Sequence, residues 1–536
     1  STKTNTSFRG VADVFAIDKL AWVGTLTTTG LDLATGEVAR QIDPGHLYTG
    51  GHHPRCYRSK ATGDYLLWSK RGVEFLDLKS DRHMRHDWVR GTCRYGIIPA
   101  NGLLYAPPHP CFCYPGVKLA GFNALAGESS VESQDSGAEE RLQRGPAYEA
   151  RRDESRGSRA IVDHQSSITN HQFHDWPTYR HDNARSGCAA AEVPTRLERA
   201  WKTELRGKVS PLVLADDRLF VAEVDAHAVT CLDARNGTRQ WSYTAGGPVD
   251  SPPTIDRGRV LFGCCDGWVY CLRARDGELI WRRRAAPSQR RIVSYGRLES
   301  AWPVHGSVLV ENDTVYFAAG RSSFLDGGIY LYGLDVATGQ VRHRAHLDGP
   351  WPDLGTPCDR AHEMDGTKND ILVSSGERLF LTQNVFDLEL NPLEAPKIAK
   401  WGARKTDLHL VATGGFLDDS GFDRLYWMHA RRWPGLYVAV GAPKAGQILV
   451  FDDTTTYGLH TFTTKFSRSP YFAPGAGGHE LFADENANEP VLPDESARRE
   501  RGVMFRTQPP KWSVNIPVRA RGMVLAGESL LLAGPP

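Results

Sequence analysis

A pattern that returns along the chain restricts its fold more than any other feature. One copy runs Asp217-Arg-Leu-Phe-Val-Ala222, then Ala228-Val-Thr-Cys-Leu-Asp-Ala-Arg-Asn-Gly237, then Trp241. The next runs Gly258-Arg-Val-Leu-Phe-Gly263, then Trp268-Val-Tyr-Cys-Leu-Arg-Ala-Arg-Asp-Gly277, then Trp281, forty positions after Trp241. A third reads Asp313-Thr-Val-Tyr-Phe-Ala318 and Ile329-Tyr-Leu-Tyr-Gly-Leu-Asp-Val-Ala-Thr-Gly339, and a shorter, earlier copy reads Gly30-Leu-Asp-Leu-Ala-Thr-Gly36. Within each unit the first apolar run is expected to be a strand and the second its antiparallel partner. The Asp-to-Gly stretch is a tight turn in which Gly supplies a positive φ. The Trp that follows opens an outer strand and packs between neighbouring sheets. A four-stranded sheet of this size cannot bury both faces alone, so it must stack on its neighbours, and radial closure is the arrangement that does so.

Weaker strand pairs extend the pattern: Tyr65-Leu-Leu-Trp-Ser69 with Gly72-Val-Glu-Phe-Leu-Asp-Leu78, Asp370-Ile-Leu-Val-Ser-Ser375 with Arg378-Leu-Phe-Leu-Thr382, Gly446-Gln-Ile-Leu-Val-Phe-Asp-Asp453, and Val524-Leu-Ala-Gly-Glu-Ser-Leu-Leu-Leu532. The expected fold is all-β, a β-propeller of about seven or eight four-stranded blades, incomplete at the termini. One stretch breaks the pattern. Residues 128–166 are rich in Glu, Arg, Ser, Gly and Gln and poor in strand formers, a composition that cannot bury enough apolar surface to order itself. The expected organisation is therefore 1–127 as blades with Cys- and His-rich loops, 128–170 as a disordered linker or insertion, and 171–536 as a propeller.

The repeat resembles that of the pyrroloquinoline-quinone (PQQ) binding, quinoprotein-like propellers, outer-membrane assembly propellers included. The stretch His174-Asp-Trp-Pro-Thr-Tyr-Arg-His-Asp-Asn-Ala-Arg-Ser-Gly187 resembles the lead-in that precedes the first blade in that family. Outside the repeats, GHHPRCY (51–57), VRGTCRYG (89–96), PANGLLYAPPH (99–109), CFCY (111–114), LESAWPVHG (298–306) and GFLDDS (415–420) resemble large propeller proteins of planctomycete-type bacteria. The first Cys-rich stretches are distantly similar to propeller polysaccharide lyases that act on uronic-acid polymers. These resemblances imply an extracytoplasmic protein, periplasmic or secreted.

Composition narrows the partners. The 536 residues include 64 basic and 63 acidic ones, a net charge of +1, so bulk attraction to nucleic acid or an anionic membrane is not expected. No apolar run reaches the roughly 20 residues of a spanning helix. The N-terminus, Ser1-Thr-Lys-Thr4, has neither an initiator Met nor an apolar signal core, which reads as a chain that begins after a processing site or as a fragment. The ten cysteines do not require a disulfide framework in a chain of this size.

Three constellations could carry chemistry. His53, Cys56, Cys93, Cys111 and Cys113 have the ligand types of a structural zinc site, with Arg55, Tyr57, Arg94 and Tyr95 beside them as substrate-binding candidates. Their spacing matches no strong zinc signature, so a disulfide staple or inert thiols stand equally open. The long excursion after Trp281 holds the catalytic candidates Arg291, Tyr295, Glu299 and His305 and the substrate-binding candidates Arg290 and Trp302. Arg could neutralise a uronate carboxylate, Tyr or His could move a proton, and Trp could stack on a sugar ring. Cys264-Cys265 are adjacent, like the vicinal pair beside the quinone in quinoprotein dehydrogenases, but they sit just before the turn Asp266-Gly267 of an ordinary blade and read first as a chance substitution in a strand. No Cys-x-x-Cys-His haem motif occurs, and PQQ is not expected. Asp418, Asp419 and Asp423 form a polar loop best read as turn chemistry. The first functional expectation is a propeller that binds, and eliminatively cleaves, an acidic polysaccharide. The alternatives are a non-catalytic scaffold for a protein partner and, last, a PQQ-dependent dehydrogenase.

Overall fold

The computed structural model describes the chain apart from residues 1–12, 25–27, 44–56, 70–71, 87, 92–94, 108–118, 120–121, 128–140, 150–174, 195, 295, 352–365, 399–403, 413–426, 434–442, 461–478, 492–503, 519 and 536. Its sheets are antiparallel meanders in sequence order. Those spanning 14–42, 60–86, 213–244, 309–347, 373–393 and 448–516 have four strands each. The 98–126 and 404–446 sheets have three. In the 522–533 sheet a hairpin pairs, in parallel, with the short strand Cys188–Ala189.

The repeats fold alike because their turns demand it. In the 213–244 sheet Phe220 faces Cys231 and Cys231 faces Trp241; in the 254–284 sheet Leu261, Cys271 and Trp281 stand in the same register. A bulge follows at Cys231/Leu232, Cys271/Leu272, Gly333/Leu334 and Gly30/Leu31. It precedes the turn in which Gly36, Gly237, Gly277 and Gly339 take φ of 75°, 72°, 75° and 69°. Where Asp opens that turn its carboxylate accepts the amides ahead, as from Asp32 Oδ1 to Ala34 N and Thr35 N, both 2.8 Å.

The cores lie between sheets. Ala228–Asp233 and Thr314–Ala319 are buried at every position, as expected of a middle strand covered on both faces, whereas the outer strand Arg239–Thr244 alternates. Leu261, Cys271 and Trp281 of one sheet pack with Val315, Phe317 and Tyr332 of the next. The recurring Trp closes each seam. Trp201, Trp241 and Trp281 donate their Nε1–H to the carbonyls of Ala234, Ala274 and Val336 at 3.0, 2.9 and 3.0 Å. A Cβ on the turn residues Gly237, Gly277 or Gly339 would fall 2.4, 2.6 or 2.7 Å from those rings. Glycine there serves two purposes, positive φ and ring clearance.

Residues 175–187 sit among the inner strands and bond to the 213–244, 254–284, 309–347, 373–393 and 448–516 sheets, and against the 404–446 sheet Arg180 lies over the Trp427 ring at 4.3 Å. Trp176 forms a bridge with Leu214, Pro177 O accepts Ile255 N, Asn183 O accepts Ser374 N and Ser186 O accepts Phe451 N. Asn183 Nδ2 donates to Val310 O, and Gly187 O accepts Leu525 N in the last hairpin. This radial set of sheets around one inner segment makes the fold a β-propeller. The 60–126 region joins it through Trp88, whose ring stacks on Phe324 at 5.1 Å.

The 128–166 stretch is not uniformly without structure. Leu142–Arg144 is a strand and Pro146–Tyr148 a 3₁₀ turn. Composition misjudged this piece because its order is borrowed: the strand adds a fifth member to the 254–284 sheet, which supplies both hydrogen-bond partners and apolar cover.

Candidate functional site

Antiparallel meanders place the loop that enters each inner strand beside the loop joining the second and third strands of the neighbouring sheet. At one end of the propeller this brings 247–253, 264–267, 299–307, 320–328 and 366–370 together. The main chain ties them: Ser300 N to Cys265 O, Val304 N to Cys264 O, Gly263 N to Gly306 O, Gly320 N to Pro303 O and Asn369 N to Arg321 O.

The excursion residues enter this cluster with their polar groups engaged. His305 Nδ1 meets Asp250 Oδ2 at 2.8 Å. Asp250 Oδ1 accepts Gly306 N at 2.8 Å and the Ser251 hydroxyl at 3.0 Å. Burial works against both charges. For Asp250 the attraction and hydrogen bond of His305, with the bonds from Gly306 and Ser251, outweigh it and hold the carboxyl below its usual range. For His305, Asp250 and then Asp370 overcome burial and raise the imidazole above its usual value.

Glu299, buried, is held by Arg321 Nη2 at 2.7 Å. Arg290 Nη1 reaches Asp326 Oδ1 at 2.9 Å, and burial raises the Asp326 carboxyl despite Arg290 and Arg321. Trp302, also buried, donates Nε1–H to Asp326 O at 2.8 Å. Arg291 is exposed on the hairpin of Arg291–Ser294 with Arg297–Ser300, opposite Ser300. Tyr295 lies outside the described residues. The partners Asp250, Arg321 and Asp326 were not legible as site residues, because they lie in loops of two other repeats and carry no local motif.

Cys264 and Cys265 carry free thiols. Cys264 Sγ donates to Gly247 O at 3.2 Å, and burial pushes both thiols well up, away from the reactive thiolate. Next to them burial raises Asp266, which accepts the Tyr270 hydroxyl at 2.6 Å.

His53, Arg55, Cys56, Cys93, Arg94, Cys111 and Cys113 lie outside the described residues, as do Asp418, Asp419 and Asp423. Of their neighbours, Tyr57 is buried and donates to Gly72 O at 2.7 Å, while Tyr95 is exposed. Among the described residues no group of three His, Cys, Asp or Glu is placed to hold a metal. No helix there is long and apolar enough to cross a membrane.

Residues 194–363 match the family model described as outer membrane protein assembly factor BamB. The dehydrogenase subunit of the quinone alcohol dehydrogenase of Gluconacetobacter polyoxogenes is 27% identical over 163 residues, covering 28% of this chain and 21% of that protein. The 1-butanol dehydrogenase (quinone) of Thauera butanivorans is 32% identical over 81 residues, 13% of each chain. The chain thus spans about a fifth or less of the length of these curated relatives. Among solved structures, BamB of Moraxella catarrhalis aligns over 76% of this chain and 94% of its own, with 13% identity and a TM-score of 0.30. Its repeats and the family match over residues 194–363 make the chain similar to the PQQ-like β-propellers.

Proposed function

We propose that this chain is a non-catalytic propeller scaffold, working outside the cytoplasm, that holds a protein partner. The observation that carries this reading is the internal pairing of the loop cluster. Glu299 is committed to Arg321, Arg290 to Asp326, and His305 through Nδ1 to Asp250. A general acid or base must present a lone pair or proton to a substrate, and these groups present theirs to each other. The same pairing weakens the polysaccharide-lyase reading, which needs Arg290 and His305 free for a uronate. Its remaining candidates are Arg291 and Tyr295.

A quinone cofactor fits this cluster poorly. PQQ is a polycarboxylate, and the described groups here are mainly carboxylates, with His305, Arg290 and Arg321 already neutralised by them. Residues 175–187 fill the space between the inner strands below, so no step is derived through the cofactor. A structural zinc remains a proposal for His53, Cys56, Cys93, Cys111 and Cys113, and metal content with thiol counting tests it.

The function is tested by cross-linking the chain in an envelope fraction and weighing the products, beside lyase assays on uronate polymers and dye-reduction assays with quinone and calcium. An equimolar complex with one defined protein, and silence in both assays, is expected. Turnover on a uronate polymer that is abolished by His305→Asn would overturn it.

A further inference from the structure

The strand Leu142–Arg144 lies far from the repeats in sequence and yet completes one of them. It runs antiparallel along the outer strand Leu279–Arg284, with Leu142 opposite Arg283, Gln143 opposite Arg282 and Arg144 opposite Trp281. Arg284 N donates to Arg141 O and Gly145 N to Ile280 O, both at 2.8 Å. Arg282 Nε donates to Gln143 Oε1 at 2.7 Å. Leu142 and Tyr148 pack against the cluster around Trp281, and Ala147 is buried in it. Arg144 lies over the Tyr148 ring at 4.8 Å. At Gly145 a Cβ would stand 2.1 Å from Leu279 O, so only glycine lets the chain pass this close.

Two facts mark the strand as an added ligand and not as a part of the blade. The corresponding outer strands Arg239–Thr244 and Val341–Leu347 have no fifth strand among the described residues, and their sheets are complete with four. The strand also lies 137 to 141 positions before its pairing partners, outside the meander of the 254–284 sheet.

From this we infer that the outer edge of Leu279–Arg284 is a peptide-recognition edge, held in this chain by its own segment 141–149. Its trans ligand is an extended stretch of a partner protein that adds a strand. That stretch carries an apolar residue at the place of Leu142, glycine at that of Gly145, and a small residue followed by an aromatic one at those of Ala147 and Tyr148. Main-chain bonds supply affinity, while the glycine and the two apolar contacts supply selectivity. The resident segment competes with the partner for the edge. The inference deepens the scaffold reading by naming the surface and the form of the partner.

The test uses the full chain with Gly145→Val and, as a variant without backbone crowding, Leu142→Asp combined with Tyr148→Ala. The probe is the free peptide RLQRGPAYE, the sequence of 141–149. Hydrogen exchange at the Arg284 amide is expected to rise at least about 100-fold in both variants and to return to the parent rate on adding peptide. The peptide should bind the variants at least about tenfold more tightly than the parent chain, and a peptide carrying Leu142→Asp should not bind. Arg284 that stays protected in both variants, or an opened edge that takes up no peptide, overturns the inference. Because only the chain and its own peptide are used, such a failure leaves the scaffold reading standing. Conversely, peptide uptake with no envelope partner leaves the edge a peptide-binding edge and removes the partner-protein ligand together with the scaffold reading.

Discussion

Two short polar segments precede the first clear repeat, and they meet opposite fates. Segment 175–187 goes to the axis of the propeller; segment 141–149 goes to the rim. Inner strands have a free edge that faces the axis, where main-chain groups cannot all reach water and so must find protein partners. Segment 175–187 supplies them. Arg185, fully buried, donates to Thr178 Oγ1 at 2.7 Å, Tyr179 O at 3.1 Å, Leu372 O at 3.2 Å and Val308 O at 3.4 Å. It thereby spans sheets that are distant in sequence. Burial pulls its pKa down to about 10, which leaves it charged at neutral pH. An outer edge is different, because solvent can satisfy it, and a strand added there exchanges bonds to water for main-chain bonds of modest net gain and adds its apolar contacts. Composition alone does not separate an axial staple from a detachable strand; what separates them is whether water could do the same work.

Removing the axial staple should do the most damage. Arg185→Leu strands several buried carbonyls and is expected to cost about 3–5 kcal/mol, read by denaturant unfolding. Arg185→Lys should recover little of it, since a single ammonium cannot reproduce the guanidinium fork. A loss below about 1 kcal/mol would mean that the axis does not depend on this residue.

The seam beneath the added strand comes next. Trp281→Ala should cost about 3–5 kcal/mol, and Trp241→Ala clearly less, because Trp281 is fully buried and Trp241 only partly so. Equal losses would show that the added strand contributes nothing to the Trp281 seam. Smaller again, Gly145→Val should lower global stability by under about 1 kcal/mol while freeing the Arg284 amide. A large global loss would make the rim segment as integral as the axial one.

The least effect concerns pH. The folded state raises the His305 pKa above its ordinary 6.5 and lowers that of Asp250 below 3.8. The His305 contribution is therefore complete below pH 6.5 and fades as pH climbs through the folded value. That of Asp250 is complete above pH 3.8 and fades as pH falls through its folded value. Stability of the parent relative to His305→Asn should accordingly peak between these limits and shrink on the alkaline side, in unfolding curves taken across pH. A constant difference would show that the pair is not ionised.

The propeller was readable because its determinants are local and repeated. The Asp and Gly of each turn, the Trp that follows and the apolar runs before it lie within a few tens of residues, and each acts on its nearest neighbours. That is why the sequence alone assigns Gly237, Gly277 and Gly339 to turns and Trp241 and Trp281 to seams. The loop cluster was half readable. His305, Glu299, Arg290 and Trp302 stood out as chemically able groups in a long excursion, but their partners Asp250, Arg321 and Asp326 come from two other sheets. Whether an acid or base is free or neutralised depends on those partners.

Secondary structure, turn chemistry and the need to stack thus follow from residue order, since short-range sterics and the burial of alternating apolar side chains decide them. Tertiary packing alone decided that Arg185 bonds across the axis, that His305 is tied to Asp250, and that the polar stretch around Leu142 is ordered. Each of these is a pairing between groups far apart in the chain, and its energy exists only once closure of the sheets has brought the partners within hydrogen-bond reach and removed the competing water.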